Sequence, residues 1–225
     1  MYRAVIFDVD GTLVDSNDAH AHAWVQALAE RGRRVEFSRV RPLIGMGSDK
    51  LLPQAAGLAA DSPEGRAIAA RRREIFLRDW IPRLQPTRGA RELLEWLRDD
   101  RLMLYVASSA NADELQPLLR VAGADKLIES TTSSDDAPRS KPDPDIVKAA
   151  IDRTGRPADD VIMIGDTPYD VEAALGAGIA IIALRSGGWS DSDLDGAAAV
   201  YDDPEDLVNH YDLSPFRRPA PARSA

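Results

Sequence analysis

Five short, almost wholly apolar runs recur along the chain: RAVIFDV near residues 3–9, LMLYVAS near 102–108, LIEST near 127–131, VIMIGD near 161–166 and IAIIAL near 179–184. Strands with one wet face alternate apolar and polar residues. Unbroken apolar runs of this length are instead strands covered on both faces, the condition of a parallel sheet. Helix-length segments lie between most of them: GARELLEWLRDD before the second run, NADELQPLLRVAG after it, PDPDIVKAAIDRTG before the fourth, and PYDVEAALGAG between the fourth and fifth. This rhythm predicts an α/β fold, a doubly wound parallel sheet whose cleft opens beyond the C-terminal ends of its strands.

One interval departs from the rhythm. Residues 17 to about 86 hold no strand-like run, only DAHAHAWVQALAERG, SDKLLPQAAG and EGRAIAARRREIFLRDWIPRL. The interval is too long for one crossover and reads as a helical cap domain inserted after the first strand. The expected division is therefore a core of residues 1–16 and 87–213, a cap of 17–86, and a loose tail of 214–225 in which Pro, Arg and Ala recur without periodicity. Trp24, Trp80 and Trp96 lie among apolar residues at helical spacing and read as core packing. Arg71, Arg72 and Arg73 point in different directions from one helix and read as a solvated run.

Composition narrows the chemistry. A formal charge of −9 over 225 residues argues against a general nucleic-acid binder or a ligand of acidic membranes, each of which needs a net basic face. No apolar stretch reaches the roughly 20 residues that span a bilayer, and the first strand begins by residue 3 with no leader-like region before it. A cytoplasmic protein is expected. With no cysteine, thiolate nucleophiles, disulfides and sulfur-held metal sites have no residues to build them, and three histidines argue against an imidazole-rich metal site.

Polar residues concentrate where the apolar runs stop. Asp8 and Asp10 end the first run, Ser108 ends the second, Lys141 precedes the helix leading to the fourth, and Asp166 and Asp170 follow it. Two acids one residue apart repel unless a positive charge lies between them. Acids from two strands can enclose a hard divalent cation such as Mg²⁺, which takes carboxylate, carbonyl and water oxygens. A phosphate on the same cation would bring its phosphorus near a carboxylate oxygen able to attack it, while Ser108 and Lys141 held its other oxygens. Plainer readings exist for several of these residues, Ser108 or Ser109 as a helix cap among them. Asp10-Gly11 is also a turn signal, Lys141 could be a surface lysine, Thr167 and Asp170 could cap a helix, and Asn111 with Glu114 could cap another.

The motifs DVDGT, VASS, SKPDPD and GDTPYD, in that order and spacing, resemble the four signatures of the haloacid dehalogenase superfamily, and the helical insertion resembles its cap. The likeness spans roughly residues 3–200. It implies Asp8 as the nucleophile that forms an aspartyl-phosphate and Asp10 as general acid and base. Ser108 would bind phosphate and Lys141 would stabilise it. Mg²⁺ would be held by Asp8, Asp166 and the backbone carbonyl of Asp10, with Asp170 supporting the metal shell. Gly11 and Ser109, in the first two motifs, are expected to line the substrate site.

Within the superfamily, members that displace halide from carbon lack an acid matching Asp10, so the resemblance implies phosphoryl transfer. The stretch DSNDAHAHAW is similar to β-phosphoglucomutases, with His20 in the place of a cap histidine, and also to glycolate-phosphate and sugar-phosphate hydrolases. The mutase-like arginine that grips a second phosphate is missing from the loop LIGMGSDKLL, where Asp49 and Lys50 stand instead. In that loop Gly45 and Gly47 would let backbone amides approach a ligand, and Lys50 would meet an anionic leaving group. The expected function is a phosphatase of the phosphoglycolate-phosphatase-like branch acting on a small phosphorylated metabolite. The alternatives are a β-phosphoglucomutase-like mutase and a binding protein that kept the fold without turnover. Oligomeric state is not legible in the sequence.

Overall fold

Six parallel strands among the described residues make one sheet, and the insertion lies between its first two strands in the chain. The chain runs β1 (Ala4–Phe7), α1 (Asn17–Ala29), α2 (Phe37–Val40), α3 (Ser48–Ala56), α4 (Pro63–Ile75), α5 (Ala90–Asp99), β2 (Met103–Ala107), α6 (Ala112–Val121), β3 (Ser130–Thr132), α7 (Asp145–Thr154), β4 (Val161–Gly165), α8 (Pro168–Ala177), β5 (Ala180–Leu184), β6 (Ala199–Tyr201) and α9 (Pro204–Asn209). The computed structural model describes residues 1–217. Sheet order is β3-β2-β1-β4-β5-β6, a doubly wound arrangement that reverses direction beside β1.

The four inner strands β2, β1, β4 and β5 are apolar on both faces because both are covered. Val5, Phe7, Leu104, Val106, Ile162 and Ile164 pack with Leu93 and Leu97 of α5 and with Leu115 and Leu118 of α6. Their alternate neighbours Ala4, Ile6, Tyr105, Ala107, Val161 and Met163 pack with Ile146 and Val147 of α7 and with Val171 and Ala174 of α8. The first of these layers continues into the insertion through Trp24, Leu28, Leu51, Leu52, Ile68, Ile75 and Phe76, so the insertion shares the core rather than floating on a linker.

Five details depart from expectation. β6 follows the small-residue run GAAA, and its three residues are only half-buried, so it lacks the apolar signature of the other strands. β3 is the polar edge segment Ser130–Thr132, displaced from the apolar Leu127 and Ile128 that suggested it. The long helix expected over 64–84 ends at Ile75 and continues as one wide turn and a 3₁₀ turn. Pro82 has no N–H to give the carbonyl four residues back, so the regular ladder cannot run through it. Trp96, expected in the core, is 45% exposed, and the expected loose tail begins with order: Phe216 is buried and stacks on Tyr211 with ring centroids 5.5 Å apart. The remainder of that tail, 218–225, lies outside the described residues.

Candidate active site

Phe7 pairs with both Val106 and Ile164, so the three central strands end level and their following residues converge above the sheet. Asp8 leaves β1 with its amide donating to the Ile164 carbonyl at 2.9 Å, and Asp166 follows the end of β4 beside it. Thr167 and Asp170 begin α8 as a reciprocal cap: the Thr167 hydroxyl and amide donate to Asp170 Oδ2 at 2.6 and 3.1 Å, and the Asp170 amide donates to the Thr167 hydroxyl. The capping reading of Asp170 and its place at the site are therefore one arrangement.

Ligand oxygens of Asp8, Asp166 and Asp170 lie within 4.8 Å of one another, all buried. Lys141 is wholly buried among them and donates to Asp8 Oδ1 and, at 2.7 Å, to Asp170 Oδ1. The surface-lysine reading is thus excluded. Asp166 accepts from Thr12 Oγ1 at 2.8 Å and from Asn17 Nδ2 at 2.9 Å. Neither Thr12 nor Asn17 was picked out from the sequence, although both neighbour the first motif. Gly11 has a structural task here: its φ is +82°, and a Cβ on it would fall 2.0 Å from Asp166 Oδ2.

Burial pushes the Asp166 carboxyl up to about 7, Asp170 adding to the effect and the donors Asn17 and Thr12 opposing it. Burial also raises Asp8 well above the usual carboxylate range; Lys141 opposes the rise, and Asp170, Asp166 and Asp10 reinforce it. For Lys141, burial disfavours the charge, but Asp170 and Asp8 outweigh it and push the ammonium upward. Three carboxylates share one ammonium, and Asn17 Oδ1 is a buried acceptor with no hydrogen-bond partner among the described residues. This hard-oxygen set, short of positive charge, fits a divalent cation.

Asp10 belongs to a different subset. Its carboxylate stands outside the three-acid cluster, Oδ1 accepting from Ser16 Oγ at 2.5 Å and lying 2.7 Å from His20 Nε2. Burial works against its charge, yet His20 and Ser16 hold the carboxyl below its ordinary value. His20 is buried and stacked on Phe76 with ring centroids 3.8 Å apart, not a solvated helix-face histidine. Asp8, Asp10, His20 and Ser109 line one cavity, completed on the insertion side by Trp24 and Arg72.

The loop from Gly45 to Lys50 is corrected most. Ser109 Oγ donates to the Gly45 carbonyl at 2.9 Å, the Gly47 amide donates to Ser140 Oγ at 3.0 Å, and Lys50 is ion-paired with Asp143. Gly45 lines this cavity and Gly47 lines an adjoining one, but Lys50 lines neither and is engaged with the core, so it is not a free cation facing the site. Ser108 is buried beside it, its hydroxyl accepting from the Ala110 amide. Asn111 does not cap α6 as expected: Asp135 does, accepting from the Ala112 amide at 3.1 Å.

Arg72 is the residue most misread from the sequence. It lies over Trp24 at 5.0 Å and over Phe76 at 5.8 Å, and is ion-paired with the fully buried Glu114. The available signal was its spacing: Ile68 and Phe76, four residues to either side, are both buried.

Residues 5–184 match the family described as haloacid dehalogenase-like hydrolase. The chain is 32% identical to a phosphoglycolate phosphatase of Pseudomonas syringae pv. syringae over 82% of this chain and 70% of that one. It is 28% identical to an N-acetylmuramic acid 6-phosphate phosphatase of Pseudomonas aeruginosa over 93% of this chain and 95% of that one. A crystal structure of a hydrolase from Pseudomonas syringae superposes with a TM-score of 0.87 at 31% identity, covering 94% of this chain and 98% of the other.

Proposed function

The chain belongs to the haloacid dehalogenase-like hydrolases and is a phosphoric monoester hydrolase; on that premise we propose that it cleaves a small phosphomonoester, phosphoglycolate-like or sugar-phosphate-like, with Mg²⁺ and through an aspartyl-phosphate on Asp8. The observation that carries the reading is the buried cluster of Asp8, Asp166 and Asp170 with Lys141, sharing a cavity edge with Asp10. Asp8 and Asp166, with the backbone carbonyl of Asp10, are the residues that would hold Mg²⁺, which supplies charge neutralisation of the phosphoryl oxygens when bound.

Asp8 attacks the phosphorus, and the bond from phosphorus to the alcohol oxygen breaks. Asp10 gives that oxygen a proton. His20 and Ser16 hold Asp10 at the cavity edge and favour its charged form, the form that serves as base in the second step. Asp10 then takes a proton from water as the water attacks the phosphorus of the aspartyl-phosphate, releasing inorganic phosphate and restoring Asp8. Lys141, fixed by Asp170, offsets the charge of Asp8 and of the transferring group. The helices over 17–83 serve as the cap, meeting the core through Ser109, Ser140 and Asp143. The proposed setting, small phosphorylated metabolites in the cytoplasm, is that of a metabolic phosphatase; separately, no helix among the described residues is long and apolar enough to cross a membrane.

The mutase reading gains one observation, since Arg72 does bring a cap cation to the cavity. Its pairing with Glu114 weakens it as a grip on a second phosphate. The test measures phosphate release from a panel of monoesters with Mg²⁺ or EDTA, beside interconversion of glucose 1-phosphate and glucose 6-phosphate. Hydrolysis requires Mg²⁺, carries solvent ¹⁸O into the released phosphate, and drops by several orders of magnitude in Asp8→Asn. Fast interconversion with little phosphate release would establish the mutase instead.

A further inference from the structure

A second cavity of 240 Å³ adjoins the first and shares Trp24, Met46, Arg72 and Ser109 with it. A phosphoryl group seated at Asp8 leaves its alcohol portion to occupy this space, so the lining of the second cavity bears on which alcohols are accepted. Its charged side chains are Asp49, Asp135 and Arg72. Asp49 accepts from Ser140 Oγ at 2.5 Å, and Asp135 accepts from Asn111 Nδ2 at 3.2 Å and from the Ala112 amide. Both side chains are therefore held by hydrogen bonds at the cavity wall.

Arg72 would make the cavity attractive to an anion if its charge were free. It is not. Glu114, on α6 of the core, is fully buried and lines neither cavity; it pairs with Arg72 from behind. Glu114 offsets the arginine charge, so the pair presents a smaller field to a third group than Arg72 alone would, although Arg72 still helps to lower Asp10 across the first cavity. What remains is two carboxylates and a set of neutral hydrogen-bonding groups, among them Ser48, Ser134, Ser140 and Asn111. Hydroxyls can both donate to the carboxylates and accept from the neutral groups, whereas a carboxylate or second phosphate would meet like charge with no free cation.

We infer that the alcohol half of the substrate is uncharged and rich in hydroxyl groups, and that Glu114 sets this preference by neutralising Arg72. The inference rests on the phosphatase reading above and selects the sugar-phosphate-like side of it over the phosphoglycolate-like side. Glu114 is a positioning residue: it acts on substrate through the charge and orientation of Arg72.

The experiment compares kcat/KM within matched pairs that differ in one group: glycerol 3-phosphate with 3-phosphoglycerate, and sorbitol 6-phosphate with 6-phosphogluconate. The wild-type protein prefers the uncharged member of each pair by at least about tenfold. Glu114→Gln keeps the shape and a hydrogen-bonding amide but frees the arginine charge, and it narrows each ratio roughly tenfold, chiefly through a lower KM for the carboxylate ester. Asp49→Asn, at the cavity wall and away from the buried pair, narrows the ratios in the same direction and serves if the Glu114 variant does not fold. Wild-type preference for the carboxylate members overturns the inference while leaving the phosphatase reading intact. Ratios unmoved in a folded variant overturn the charge assignment. Absence of turnover with every ester overturns the phosphatase reading and this inference together.

Discussion

Asp8 and Asp10, one residue apart in sequence, have opposite electrostatics. Asp10 is held charged by His20 and Ser16, whereas burial and mutual repulsion raise Asp8 and lift Asp166 to about 7. The sign of the consequence follows from linkage. An Asp ionises near 3.9 in the unfolded chain, so between there and 7 folded Asp166 binds more protons than the unfolded chain, and the metal-free protein loses stability as pH rises through that window. A divalent cation favours the ionised form and cancels the loss. Thermal melts with EDTA and with saturating Mg²⁺ should show a larger metal-induced rise in Tm at pH 7.5 than at pH 5; an equal rise at both would show that these acids do not hold the metal. The same residues also mark the extent of local legibility. Asp8, Asp10, Asp166 and Asp170 stand out because each interrupts or closely follows an apolar run, and Lys141 because it precedes the helix that leads to one, whereas only the apolar Ile68 and Phe76 four places to either side distinguish Arg72 from Arg71, which pairs with Glu30 at the surface.

At the scale of elements, α8 shows a cap and a site sharing one set of atoms. Thr167 at its N-cap binds the same Asp170 whose other oxygen accepts from Lys141. Thr167→Ala should cost about 1 kcal/mol of stability in a urea titration, and should lower kcat more than that loss explains because Asp170 no longer holds Lys141 in place. Unchanged kcat in the folded variant would separate the cap from the chemistry. Helix positions were readable to within a few residues from apolar spacing and Pro or Gly boundaries, as in α5, α6, α7 and α8. The capping of α6 was not, because Asp135, the group that satisfies the Ala112 amide, comes from a loop 23 residues away. The loop from Gly45 to Lys50 failed for the same reason: its glycines did signal close approach, but what approaches is Ser109 and Ser140 of the core.

For the whole molecule, the end of the described chain closes the sheet's outer layer. Phe216 meets Tyr211 and Tyr2, and Tyr211 donates to Asp100 at 2.7 Å. Phe216→Ala should destabilise the fold by about 3 kcal/mol while leaving kcat per folded molecule unchanged, which a denaturant titration beside an activity measurement would check; a loss under 0.5 kcal/mol would return this segment to the loose tail that its composition suggests. By itself the sequence determined the sheet class, since burial on both faces demands apolar runs, and a parallel sheet brings the polar ends of those runs, Asp8 and Asp166 among them, side by side. Tertiary structure alone decided the partners of His20, Lys50 and Arg72. Each is a polar side chain whose meaning depends on which opposite group faces it, and Asp10, Asp143 and Glu114 are brought to them only when the insertion packs on the sheet. Periodicity reports which face of a helix is buried, but the charge waiting on the other side of the interface belongs to a distant segment of the chain.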